Sequence, residues 1–181
     1  MASSEEDKIM SDSESLVSSS RGVAAKPPYI SHYGIRAKRL REMIRWYKTV
    51  FGARVQHENE FLAFMTYDEE HHRLVIWEDP ATVDRPENAG GIDHVGYGLA
   101  SFGDLVSTYE RLKAEGITPF LPLNHRFTTS LYYHDPDGNE VELSVDNFPT
   151  KEDCDAFVRS EATRRSYCGR SRPAPKPCSG P

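Results

Sequence analysis

His32, His94 and Glu142 are the residues whose types and placement could do metal chemistry. Two neutral imidazoles and one carboxylate suit a divalent ion such as iron, and they leave its opposite face open. An open face has room for a chelating substrate and for dioxygen. Each of the three stands at the start of, or inside, a short apolar run that reads as a β-strand. His32 and His94 also hold equivalent places in an internal repeat.

The repeat has an offset of 62 residues. Gly34 matches Gly96, Leu40 matches Phe102, Met43 matches Leu105, Ile44 matches Val106, Tyr47 matches Tyr109 and Val50 matches Leu112. From Leu40 onward the spacing is i, i+3, i+4, i+7, i+10, one face of an amphipathic helix. Gly52 and Gly116 end the two helices, where a left-handed residue is wanted. Strands are expected at Arg54–Asn59, Leu62–Tyr67 and Arg73–Glu78, then at Thr118–Leu123, Thr129–His134 and Glu140–Val145. Each unit is therefore βαβββ, and the fold class is α+β. Amphipathic helices resemble each other by chance, but the shared His-x-Gly start and strand order argue for duplication. Neither half is large enough to bury its apolar face alone, so the two should share one core.

Not all of the 181 residues read as folded. Residues 1–27 are rich in Ser, Asp and Glu and poor in large apolar residues, the signature of disorder. Residues 28–148 form the one domain, with units at 29–79 and 91–148. Residues 149–181 hold a short helix, Lys151–Arg159, and a basic, Pro-rich tail that reads as unstructured. The net charge of −6 argues against nonspecific nucleic-acid binding. No apolar run is long enough to span a membrane. The acidic N-terminus lacks the apolar core of a secretory signal, so the cytoplasm is the expected location. Cys154, Cys168 and Cys178 all lie beyond the duplicated core, which removes them from the metal site and suggests no disulfide framework.

Three stretches carry a family resemblance: DEEHHRLVIWED at 68–79, GIDHVGYGL at 91–99 and NHRFTTSLYYHDPDGNEVELSVDNF at 124–148. Over residues 29–148 the chain resembles the vicinal oxygen chelate superfamily, and within it the extradiol catechol dioxygenases of the biphenyl-2,3-diol type. The resemblance implies paired βαβββ units forming a cupped mixed sheet around a metal. It implies His32, His94 and Glu142 as ligands of Fe(2+), with Mn(2+) as the alternative, since both accept that donor set. Glu140 shares a strand face with Glu142, but the family's ligand follows the Gly of DPDG by four residues, which selects Glu142.

The same resemblance makes His72 the acid/base beside the oxygen site, a task suited to a group that titrates near neutrality. His71 should then point the other way along its strand. Tyr132 matches the tyrosine that hydrogen-bonds a substrate oxygen, and Tyr133 should face the core. His125 matches the substrate-facing histidine. The loop here reads Asn124-His125-Arg126-Phe127, where related sequences tend to carry Gly and Pro after the histidine. His57 and His134 have no assigned role.

The implied activity inserts both atoms of O2 into a catechol-type aromatic diol and opens the ring outside the diol. Partners are then the diol and O2, and a homodimer is allowed but not required. A second class of the same fold, the glyoxalase-type lyases and isomerases, uses four ligands. Its extra carboxylate would fall at Val75, within Leu74-Val75-Ile76-Trp77, where no residue can bind a metal. A third reading is a relative that binds a small molecule without reacting it; the full set of site residues argues against that.

Overall fold

A computed structural model describes residues 26–86 and 89–160. The chain divides after Ser31 into two packing units, and every helix and strand of the described residues belongs to the second, His32–Pro181. The expected disordered end at 1–27 falls almost wholly outside the described residues, and the tail beyond 160 entirely so, with Cys168 and Cys178.

The first repeat runs β1 (Tyr33–Ala37), α1 (Leu40–Phe51), β2 (Arg54–Glu58), β3 (Leu62–Thr66) and β4 (Leu74–Glu78). The second runs β5 (His94–Gly98), α2 (Phe102–Ala114), β6 (Leu121–Asn124), β7 (Thr128–His134) and β8 (Glu140–Asp146), and α3 (Lys151–Arg159) follows. Each repeat makes its own four-stranded sheet, in the order β1-β4-β3-β2 and β5-β8-β7-β6. The first and last strands of each repeat pair in parallel, and the rest are antiparallel. A parallel pair needs a crossover, and the helix supplies it. Among the described residues no helix is long and apolar enough to cross a membrane.

Alternation along the strands decides what faces the helices. On β8, Val141, Leu143 and Val145 are buried, while Glu140, Glu142 and Ser144 take the other face. Leu40, Met43, Ile44, Trp46, Tyr47 and Val50 of α1 cover the core side, and residues of both repeats join one apolar cluster. The shared core expected from the duplication is present. Gly52 and Gly116 stand just beyond the helices with φ of 63° and 77°.

Three local expectations are corrected. The sixth strand begins at Leu121 rather than Thr118, just after the Phe120 N–H donates to the Tyr132 carbonyl. Residues 67–73 bend instead of continuing a strand, so alternation does not separate His71 from His72. On α2 only Leu105 and Leu112 are buried, whereas Phe102 is 59% and Val106 40% exposed. A cleft of about 800 Å³, lined by Thr108 and Arg111 of α2 and by Glu115 just after it, with Phe51, Tyr67 and Tyr97, lies along that helix.

The duplication also shows in register. Gly34 stands opposite Val75 on β4, and Gly96 stands opposite Glu142 on β8. Phe64 faces Val75 across the ladder as Tyr132 faces Glu142. Val75 is thus the positional twin of Glu142, as the repeat suggested.

Candidate metal centre

The second repeat assembles a connected polar group on the sheet face turned away from the core. His94 is the first residue of β5, and Glu142 lies on the neighbouring β8. His94 Nε2 stands 3.1 Å from Glu142 Oε2. The other carboxylate oxygen, Oε1, accepts a 3.0 Å hydrogen bond from the Tyr132 hydroxyl. With its proton directed there, the phenol oxygen can accept from His125 Nε2 at 3.1 Å. Tyr132 is only 2% exposed, and its ring meets the His94 ring edge-on at 5.3 Å. Tyr133 turns to the core, as alternation requires, and burial pushes its hydroxyl up to about 12.

Two residues complete this geometry, and neither was assigned a role from sequence. Asp93 Oδ2 lies 2.8 Å from His94 Nδ1. A carboxylate on one ring nitrogen fixes the tautomer and leaves the other nitrogen free to ligate. Gly96 leaves room for Glu142, since a Cβ there would sit 3.0 Å from Oε2. The signals were an acid directly before the ligand histidine and a glycine across the ladder from the ligand glutamate.

The first repeat gathers its histidines separately. The His32 and His72 rings are 4.4 Å apart, and His71 and His72 are 4.5 Å apart with their Nδ1 atoms in contact. His72 also packs on Phe64, at 5.1 Å. Burial lowers the His72 pKa, and the neighbouring His32 and His71 lower it further. His134 stacks on Phe120 at 4.0 Å, a packing role, and His57 approaches Phe64 at 5.9 Å.

The loop holding His125 carries a strained residue. Arg126 has φ of 75°, a left-handed conformation that a side-chain-bearing residue adopts at a cost of roughly 1 kcal/mol. Its N–H donates to Asn124 Oδ1 and its carbonyl accepts from Asn147 Nδ2.

Does the donor set fit a metal? Two ligands each roughly 2.1 Å from one ion, at right angles, stand roughly 3 Å apart. The His94–Glu142 separation of 3.1 Å meets that spacing, with Gly96 as the cradle. Neutral imidazole and carboxylate are ordinary donors for divalent iron or manganese. His32 stays with His72, and among the described residues no group of three or more His, Cys, Asp and Glu side chains is placed to hold an ion. The second repeat therefore brings together two of the three donors expected from the sequence, His94 and Glu142, while the third, His32, lies in the first repeat beside His72.

Residues 29–143 match the model of the Glyoxalase/Bleomycin resistance protein/Dioxygenase superfamily. The chain belongs to this superfamily. Two relatives are Biphenyl-2,3-diol 1,2-dioxygenase 2 and 3 of Rhodococcus globerulus. The first is 43% identical over 132 residues, 72% of this chain and 70% of the relative. The second is 40% identical over 146 residues, 80% and 77% of the two chains. Solved structures share the fold, including a lactoylglutathione lyase from Agrobacterium tumefaciens (TM-score 0.54, 20% identity, 67% of this chain and 96% of that one). A superfamily member from Nocardioides gives a TM-score of 0.57 at 20% identity, covering 78% and 96%. The fold is thus shared with a protein named as a lyase, and alone does not choose the reaction.

Proposed function

We propose that the chain is a non-haem Fe(II)-dependent extradiol dioxygenase that cleaves a catechol-type aromatic diol with O2. The observation that carries this reading is the chain of contacts from His94 through Glu142 and Tyr132 to His125. One carboxylate oxygen is paired with a ligand imidazole. The other is held by a phenol that is itself in line with a second histidine. The similarity to two biphenyl-2,3-diol dioxygenases supports the substrate class.

In this reading His32, His94 and Glu142 hold the iron, or manganese in its place. The bound metal supplies a template for diol and oxygen and the redox chemistry between them. The protein's own groups then handle protons and orientation. Tyr132 and His125 share a hydrogen bond that can receive a diol proton or steady the diol oxygen. His72, with its lowered pKa, is neutral at pH 7 and takes and returns one proton within a turnover. Phe64, packed on His72, keeps that side apolar. A four-ligand, oxygen-independent lyase would need a donor at Val75, the twin of Glu142, and valine has none.

The test is oxygen uptake after anaerobic loading with ferrous iron, over a panel of catechols, watching for a yellow ring-fission product. Stoichiometric uptake with yellow product is expected. Bound metal without uptake would shift the reading to a lyase or isomerase. Glu142→Ala should abolish iron retention with the circular dichroism unchanged; iron content near that of the unaltered protein would remove Glu142 from the ligand set.

A further inference from the structure

Helix α1 belongs to the first repeat, yet the second repeat holds both of its ends. A helix leaves its first N–H groups and last carbonyls without partners, and carries partial positive charge at its start and negative at its end. At the start of α1, Arg39 offers no side-chain cap. The first helical N–H, that of Leu40, is accepted at 2.7 Å by Glu78 Oε2 at the end of β4, while Asp137, on the turn between β7 and β8, grips the two residues that lead into the helix. Its Oδ2 accepts the Lys38 N–H at 2.7 Å, and its Oδ1 accepts Arg39 Nε at 2.9 Å. The Arg39 guanidinium also donates to the Pro136 carbonyl. At the far end, Arg111 of α2 donates to the carbonyls of Thr49 at 2.5 Å and Val50 at 2.9 Å. Between these points Tyr47 donates to Asp135 Oδ2 at 3.2 Å. An acid meets the positive end, and a cation meets the negative end.

The turn is itself fixed. Asp135 is 4% exposed and accepts the N–H groups of Asp137 and Asn139 and the Asn139 side chain. It joins β7, which carries Tyr132, to β8, which carries Glu142. Lys38 directly follows β1, and His32 directly precedes it. The clamp thus links the strand next to one ligand histidine to the strand carrying the ligand glutamate.

We propose that Asp137 and Arg111 are positioning residues: they set the first repeat, and His32 with it, against the His94–Glu142 pair. This rests on the metal-centre reading above. The test uses the full chain, with cobalt(II) as probe in calorimetric titrations. Hydrogen exchange at residues 38–43 is read on the same samples. Asp137→Ala should speed that exchange and weaken cobalt binding about tenfold, with one ion still bound. Arg111→Leu, at the other end of the helix, should weaken binding similarly and guards against a folding failure of the first variant. The conservative Asp137→Asn, whose side-chain oxygen can still accept the Lys38 N–H, should recover part of the affinity. Met65→Ala, in the core away from the clamp, should lower the melting temperature and leave affinity within twofold. If both clamp variants bind cobalt as the unaltered chain does, or if Met65→Ala weakens binding as much, the positioning role is overturned. If the unaltered chain takes up no cobalt, the metal-centre reading fails and the clamp's role falls with it.

Discussion

Gly96 is a residue defined by its neighbour's oxygen. An added methyl would lie 3.0 Å from Glu142 Oε2, tighter than most such contacts, so the carboxylate would have to give by a few tenths of an ångström beside His94. Gly96→Ala should therefore weaken metal binding about tenfold, as loss of ligand support does, while the strands persist. Gly34→Ala is the internal control, because no atom lies within 4 Å of its added Cβ. Equal affinities for the two variants, by titration, would separate the cradle from the metal. His72 carries a second residue-scale expectation. In the metal-free chain its imidazole should titrate below the ordinary 6.5 by NMR, chiefly through burial and then through His32 and His71. The sign follows from linkage: the unfolded chain takes up this proton first. Stability from a neutral His72 is present above pH 6.5 and is lost as pH falls through the lowered value. A titration at or above 6.5 would contradict the packing of the three rings. The two histidines were readable because histidine has few reasons to recur at matched strand starts, and Glu142 through the motif after DPDG that carries the family resemblance. The support from Asp93 and Gly96 was not, because it depends on cross-strand register.

At the scale of elements, the two helices diverge although their patterns match. The periodic face of α1 is wholly buried, and the matching face of α2 is not. Ile44→Ser should cost about 2–4 kcal/mol, by loss of packing and burial of a hydroxyl. Val106→Ser, at the equivalent place, should cost below about 1 kcal/mol because its side chain is already partly in water. Urea unfolding of both variants checks the contrast, and equal losses would mean that α2 is seated as α1 is. The helix ends and the βαβββ order could be read from glycines and periodicity. The seating of α2 could not, since the cleft along it arises from how the two repeats meet. Nor could the bend at 67–73, where side chains hydrogen-bond the loop: Asp68 accepts the Glu70 N–H and pairs with Arg73.

Among the described residues the two sheets share no strand pairing and are joined by an apolar core and side-chain clamps. A metal with ligands from both repeats binds only when they are docked, so it should stabilise the docked state. At a thousandfold over its dissociation constant, an ion binding only the folded state adds about 4 kcal/mol. Ferrous iron, under argon, should therefore raise the melting temperature of the unaltered chain and leave Glu142→Ala unmoved. A shift that survives in Glu142→Ala would place the ion elsewhere. Duplication was visible along the chain because it is a matter of period. The meeting of the repeats was hidden, because Asp137 and Arg111 look like any turn acid and any surface cation until their partners are seen.

The origin of the caps on α1 has a consequence in time. A chain emerging from the ribosome completes the first repeat by Glu78, and every strand of that sheet can pair at once. Yet the groups that finish its helix, residue 111 and the turn at 135–137, are made dozens of residues later. Until then Glu78 alone holds the start of α1 and the last carbonyls of the helix lack Arg111, and the early half of the molecule waits, paired but unlatched, for the late half to close it.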